Sequence, residues 1–281
     1  MILVITNKDC YGSSYYKYLQ NNKIKSLKID LRDLVKIKVN DVFNITPLER
    51  KWVIGNKQTI DLTEIKGVYH CFEHLDISLF DDFDQRDVEY VREEWFAYIV
   101  FFLNQIKKNI NPISHKRYGG SYFSMLSVYK FAFNLGFNIP MFMFGSYIDL
   151  TVKNLSEYVA YSDIFNFLNP IKISENEKNT SVVLLIEKPK GLPILVRVIG
   201  DNITATIVIK NQGLNEFILS DEYIHKFIML KKILEINVFE VLCLNFNNKL
   251  IFYGLSIFPD WKISHLPMNY YWEQITKFIG E

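Results

Sequence analysis

Residues Asp84 to Lys108 carry apolar side chains at spacings of three and four, with Val88, Val91, Trp95, Ile99, Phe102 and Ile106 on one face. That period predicts a long helix. A helix of this length needs other elements to lie on, so it is expected at the centre of the packing. The segments before it supply candidates. Ile2 to Thr6 reads as a buried strand, Ser13 to Gln20 as a short helix opened by a serine cap, and Ile24 to Ile29 as a second strand, which together begin a βαβ unit. Trp52-Val53-Ile54 and Gln58 to Leu62 read as a hairpin across Gly55-Asn56, and Gly67 to Phe72 as another strand.

Asn111-Pro112 ends the long helix, and His115 to Ser121, with Gly119-Gly120, reads as a flexible loop. A helix from Phe123 to Leu135 is closed by Gly136 as a C-cap, and Asn138 to Phe144 follows as a strand. A helical stretch is expected near Leu155 to Tyr161, then a polar surface segment from Lys172 to Thr180. Strands are expected at Val182 to Glu187, Ile194 to Ile199 and Thr204 to Lys210, then a helix at Asp221 to Ile236. A hairpin of Phe239 to Phe246 with Lys249 to Ile257 crosses Asn247-Asn248, and Asn269 to Phe278 is a last helix. The fold class is therefore α/β with α+β lobes: an N-terminal open sheet and a C-terminal antiparallel sheet. The expected division is 1–110, including the long helix, and 111–281, the latter split at 187/188.

With 32 basic and 31 acidic side chains in 281 residues the net charge is +1, so no overall field recruits nucleic acid or a membrane. The start MILVITNKD has no basic region ahead of its apolar run and reads as a strand rather than an export signal. The apolar run Trp95 to Leu103 is too short to span a bilayer. Three widely spaced cysteines, Cys10, Cys71 and Cys243, argue against a disulfide framework and for a reducing, cytoplasmic setting.

The order "NP", glycine loop, helix, "GFNIP", apolar strand between Asn111 and Phe144 resembles the entry to the ATP-grasp fold, in its peptide-modifying and amino-acid ligase branch. Leu185 to Asn202, "LIEKPKGLPILVRVIGDN", resembles the hinge of that family, matching at Glu187, Gly191 and Gly200-Asp201. The first lobe is similar to a pre-ATP-grasp domain, so the resemblance covers most of the chain. It implies chemistry in which a carboxylate becomes an acyl phosphate, with cations around the triphosphate and carboxylates on Mg²⁺. At the positions of those groups this chain differs. The first family lysine aligns with Met125, the second falls in Ile164 to Leu168, and the hinge arginine falls at Leu195, with Arg197 two residues on and on the same strand face. The metal-binding aspartate and the E-x-N-P of the final hairpin align with Cys243 and with Ser256-Ile257-Phe258-Pro259.

The resemblance therefore implies an ATP-grasp-like protein of a ribosomal-peptide maturation system, with no metal ligands and no conventional ATP or Mg site. Its expected partner is a precursor peptide or a homologous ATP-grasp protein, in a homo- or hetero-oligomer. The alternative is an active ATP-dependent carboxylate-amine or ester-forming ligase using ATP and Mg²⁺, with Arg197 as catalytic cation and Glu187, Lys188 and Lys190 on the nucleotide. A third class rests on His70-Cys71-x-x-His74, which Cys10 can approach from a neighbouring strand end to hold zinc or activate a thiol. The more ordinary account is a buried Cys71 beside half-exposed histidines. The acids Asp81, Asp82, Asp84, Glu93 and Glu94 suit a helix start without any catalytic task, and His115-Lys116-Arg117 suits a solvated loop. Tyr253, Phe258, Trp261, Tyr270, Tyr271 and Trp272 read as core, or as an apolar peptide groove.

Overall fold

Both faces of the first strand are buried, as the unbroken apolar run ILVIT requires of a strand inside a parallel sheet. The computed structural model describes residues 1–7, 11–36, 38–41, 50–54, 58–70, 72, 75–106, 108–111, 124–145, 158–160, 183–208, 215–257 and 268–280. In chain order the first elements are β1 (Ile2–Thr6), α1 (Gly12–Asn21), β2 (Ser26–Asp30), α2 (Leu31–Leu34), β3 (Lys38–Asp41), β4 (Arg50–Ile54), β5 (Gln58–Asp61), β6 (Gly67–His70), α3 (Val88–Gln105) and β7 (Lys108–Asn109). They are followed by α4 (Met125–Asn134), β8 (Phe142–Gly145), β9 (Tyr158–Ala160), β10 (Val183–Glu187), β11 (Leu192–Ile199), β12 (Asn202–Ile207) and β13 (Asn215–Glu216). The last are α5 (Asp221–Leu234), β14 (Val238–Phe246), β15 (Lys249–Ser256) and α6 (Met268–Gly280). The chain divides into two compact units, one of Met1–Tyr122 with Glu235–Asn237 and Pro267–Glu281, the other of Phe123–Leu234 with Val238–Leu266.

The first unit is built on a sheet of order β2-β1-β6-β7, parallel at every pairing. One face carries α1 and α6, where Tyr15 packs on Tyr69 and on Trp272 with ring centroids 4.7 and 5.0 Å apart. The Tyr15 hydroxyl meets Thr276 Oγ1 at 3.0 Å. The other face carries α3, whose Ile99, Phe102 and Leu103 join Leu3, Ile5 and Val68 in one buried cluster. A separate antiparallel sheet, β3-β4-β5, contains the expected hairpin with Ile54 opposite Gln58; its turn lies outside the described residues.

The last helix returns to this first unit rather than staying with the sheet that precedes it in sequence, and one glycine permits the approach. A Cβ on Gly67 would meet the carbonyl oxygen of Ile279 at 2.2 Å. Gly67→Ala is therefore expected to push α6 off β6 and cost about 1–3 kcal/mol, read as a lowered urea midpoint followed by Trp272 fluorescence. An unchanged midpoint would mean that α6 shifts without loss.

The second unit holds a three-stranded sheet, β8-β10-β9, and a five-stranded antiparallel sheet, β13-β12-β11-β14-β15. The β14–β15 hairpin turns on Asn247 and Asn248, both at positive φ (50° and 60°), the conformation that a two-residue turn of type I′ demands. Between Leu242 and Cys243 the register shifts, because Leu242 faces Gly254 while Cys243 faces Phe252. Tyr253 is the extra residue of a β-bulge. Its carbonyl accepts from the Tyr129 hydroxyl at 2.8 Å.

Several expectations are corrected. Helix α1 begins at Gly12 and is capped by Tyr11, whose carbonyl accepts from Tyr15 N–H, so Ser13 lies within the first turn and is no cap. Residues 84–87 form a turn instead of helix, since Asp84 accepts from the Arg86 backbone. Helix α3 stops at Gln105 because Ile106 is extended. Where a helix was expected near Leu155 to Tyr161, Tyr158–Ala160 is a strand paired with Leu185–Glu187, a long-range pairing overriding local propensity. The remainder of that stretch, and Lys172 to Thr180, lie outside the described residues. The cap of α4 is Ser124, which accepts from Ser127 N–H, and Gly136 closes it at φ +78° as expected.

Candidate functional site

The passage from β10 to β11 carries the hinge residues. Glu187 ends β10; its N–H donates to Met141 O at 2.8 Å and its carbonyl accepts from the Tyr253 hydroxyl at 2.9 Å. Its half-buried carboxylate accepts from Lys190 Nζ at 2.9 Å. Lys188 and Lys190 are exposed. Gly191 has φ +114°, and a Cβ there would lie 2.4 Å from Asn245 O, so only glycine lets the chain enter β11 beside the end of β14. Thus both backbone polar groups of Glu187 are already used within the protein, and Pro189 has no N–H to offer.

Beyond the hinge, register decides which side chains share a face. In an antiparallel pair, residues directly opposite each other point the same way. Across the five-stranded sheet Thr204, Arg197, Glu240 and Ser256 stand opposite one another in a single row. Arg197 Nε donates to Glu240 Oε1 at 2.5 Å, and both residues are almost wholly buried, at 2% and 1% exposure. The adjacent row is Thr206, Leu195, Leu242 and Gly254. The opposite face carries Ile194, Cys243 and Phe252 and is covered by α4 and α5, through Tyr129, Phe137 and Phe227.

Each residue expected in the site now has a place. Arg197 lies on the same face as Leu195, as alternation requires, but its guanidinium is held in an ion pair inside the sheet. Glu187 and Lys190 are paired with each other. Cys243, which aligns with the family aspartate, faces the helices; it is fully buried, and burial pushes its thiol far above the usual range. It is therefore a neutral thiol at neutral pH in this environment. Ser256 is half-buried opposite Glu240, whereas Phe258, Pro259 and Ile164 to Leu168 lie outside the described residues. Met125 opens α4, and Lys130 is exposed more than a turn further on.

Of the cysteine and histidine constellation, Cys10, Cys71 and His74 lie outside the described residues, as do His115, Lys116 and Arg117. His70 ends β6, fully buried, its ring 5.1 Å from that of Phe72. Neither ring nitrogen has a well-aligned hydrogen-bond partner among the described residues. Burial lowers its pKa to about 4, and the nearby Phe72 backbone offsets this only in part. No group of three or more His, Cys, Asp or Glu side chains that could hold a metal ion occurs among the described residues, and no helix there is long and apolar enough to cross a membrane. Of the C-terminal aromatics, Tyr253 is buried in the bulge of the second unit, Tyr271 and Trp272 are buried in the first, Tyr270 is exposed, and Phe258 and Trp261 lie outside the described residues.

Glu240 was missed by sequence reasoning. The signal was available, because Glu240 and Arg197 are the single charges of two mostly apolar strands. A charge in such a strand has to find an opposite one.

No protein-family model and no curated protein matches the sequence. Solved structures do. The macrocyclase MdnC of Microcystis aeruginosa, bound with its precursor peptide MdnA, superposes with a TM-score of 0.72 over 99% of this chain and 99% of that one, at 14% identity. A RiPP-associated ATP-grasp ligase of Chryseobacterium gregarium, in complex with ADP and a leader and core peptide, gives 0.67 over 99% and 96% at 13% identity. The D-alanine–D-alanine ligase of Bacillus anthracis with ATP gives 0.58 over 99% and 94% at 12% identity. The chain has the ATP-grasp fold, and it resembles the peptide-modifying branch of that fold in both its sequence motifs and its structural neighbours.

Proposed function

We propose that this chain is a non-catalytic ATP-grasp component of a ribosomal-peptide modification system, which binds a precursor peptide or pairs with an active ATP-grasp homologue. One observation carries the reading. The polar row of the five-stranded sheet contains a single carboxylate, Glu240, and Arg197 neutralises it inside the sheet. Magnesium bound to a triphosphate requires carboxylate oxygens that are not already committed to a cation. Ser256, directly opposite, supplies at most a neutral hydroxyl. The hinge adds support, since the backbone groups of Glu187 are used internally. Peptide as the bound class is supported by two of the structural neighbours, MdnC bound with a precursor peptide and the Chryseobacterium gregarium ligase in complex with a leader and core peptide.

Titration calorimetry with Mg·ATP and with a non-hydrolysable analogue tests the proposal. The native chain is expected to show no heat of binding at millimolar nucleotide. It is expected to bind a short peptide encoded in its own gene neighbourhood, at a concentration where a scrambled peptide does not bind. Ser256→Glu combined with Phe258→Asn is the variant most able to recover nucleotide binding. Tight nucleotide binding by the native chain, with ADP release on adding peptide, would sink the proposal. That outcome would favour the ligase reading, with Lys188 and Lys190 as the exposed cations nearest the hinge.

A further inference from the structure

We propose that the Tyr253 hydroxyl is a built-in latch, which fixes the three-stranded sheet β8-β10-β9 to the β14–β15 hairpin so that the two sheets of the second unit open only as one. The chain enters the three-stranded sheet through residues 138–141 and leaves it through residues 188–191. These two passages run side by side, because Glu187 N–H donates to Met141 O at 2.8 Å and so continues the register in which Ile186 faces Phe142. A neck of this kind is where one sheet can turn relative to the next, since a few residues at the ends of elements absorb the change in φ and ψ. The exit passage invites such turning. Lys188 and Lys190 are exposed, and Pro189 brings no N–H to a ladder.

One short stretch of β15 closes that freedom. Phe252 N–H donates to Asn138 O at 2.7 Å, and Asn138 bridges Ile251, which anchors the way in. At the next residue, the Tyr253 hydroxyl donates to Glu187 O at 2.9 Å, which anchors the way out. Both passages of the neck are therefore tied to the same three residues. Tyr253 is itself wholly buried, and its carbonyl accepts from the Tyr129 hydroxyl at 2.8 Å. The Tyr129 ring in turn stacks on Phe142, the first residue of β8, with centroids 5.1 Å apart. Thus α4, β15 and the neck meet at one side chain. A bulge re-aims a side chain, and the side chain of this bulge is the one that reaches the hinge. The contact runs from a phenol to a backbone carbonyl, so it can be removed alone, with the ladders of both sheets left intact. This inference does not depend on whether the chain binds nucleotide or peptide.

Hydrogen exchange read by mass spectrometry, on the full chain in its native form and as Tyr253→Phe, is the test. In the native chain the amides of Phe142–Gly145 and Val183–Glu187 are expected to exchange with the same urea dependence as those of Leu192–Ile199 and Val238–Phe246, as members of one cooperative unit. Tyr253→Phe keeps the ring and loses the hydroxyl. It is expected to speed exchange in β8 and β10 by about tenfold, with little dependence on urea because a local opening exposes little surface, and to leave β11 and β14 at the native rate. A native chain in which β8 and β10 already exchange faster than β11 and β14, without urea dependence, overturns the proposal whether or not the variant folds. So does a Tyr253→Phe protein whose β8 and β10 keep the native rate. A variant in which exchange rises evenly across the second unit overturns it as well, since that is the mark of a hydroxyl that only adds stability.

Discussion

Glu240→Ala is expected to destabilise the protein by about 3–5 kcal/mol, because it leaves the Arg197 guanidinium buried without its counter-charge. Arg197→Ala is expected to cost a similar amount for the mirror reason. The double replacement Arg197→Met with Glu240→Leu should recover most of the loss, since two well-packed apolar side chains avoid the desolvation that both ions suffer. Urea unfolding of the four proteins forms a double-mutant cycle, and the expected coupling is well above that of an exposed pair, which is about 0–1 kcal/mol. Single substitutions that cost less than about 1 kcal/mol would show that water reaches the pair. The same four proteins bear on function. If the double variant folds and keeps peptide binding, the ion pair is structural, and Arg197 has no part in the activity.

Acid is expected to weaken the first unit through His70. The folded pKa, about 4, lies below the ordinary 6.5, because the buried ring resists protonation. As pH falls below 6.5 the unfolded chain takes up a proton that the folded chain refuses until about pH 4. The contribution is therefore fully present above pH 6.5 and is lost progressively toward pH 4, reaching about 3 kcal/mol. The unfolding free energies of the native protein and of His70→Leu, measured from pH 7.5 to pH 4, isolate the effect. The native curve should drop relative to the variant across that window and run parallel to it above pH 7. Parallel curves throughout would mean that His70 gains a proton acceptor or reaches water in solution.

Much of the fold was legible because it is set locally. The unbroken run of β1, the three-and-four spacing of α3, the cap at Gly136 and the Asn247-Asn248 turn each identify an element from its own residues. What escaped depends on distant partners. Tyr158–Ala160 is a strand because β10 lies beside it, and nothing within the three residues says so. Strand β3 is short and polar, and only its pairing with β4 defines it. The return of α6 to the first unit is recorded less in the helix than in Gly67, whose missing side chain makes room for it. At the site, matching positions to a family drew attention to Cys243, where an acid was absent, and away from Glu240, where one was present. The two lone charges Arg197 and Glu240 lie 43 residues apart in sequence, and only the register makes them neighbours.

The bulge at Tyr253 works as a phase offset written into the chain. Were the ladder regular through that residue, Leu255 would stand opposite Glu240, and Ser256 would stand opposite Phe239, among the side chains that the helices cover. Counting alternate residues back from the Asn247-Asn248 turn therefore gives the wrong face for everything after Phe252. One surplus residue has changed the address of all that follows it without disturbing the pairing before it. In this hairpin, a substitution and a shift of phase are two separate ways to exchange the group that a sheet presents at one point.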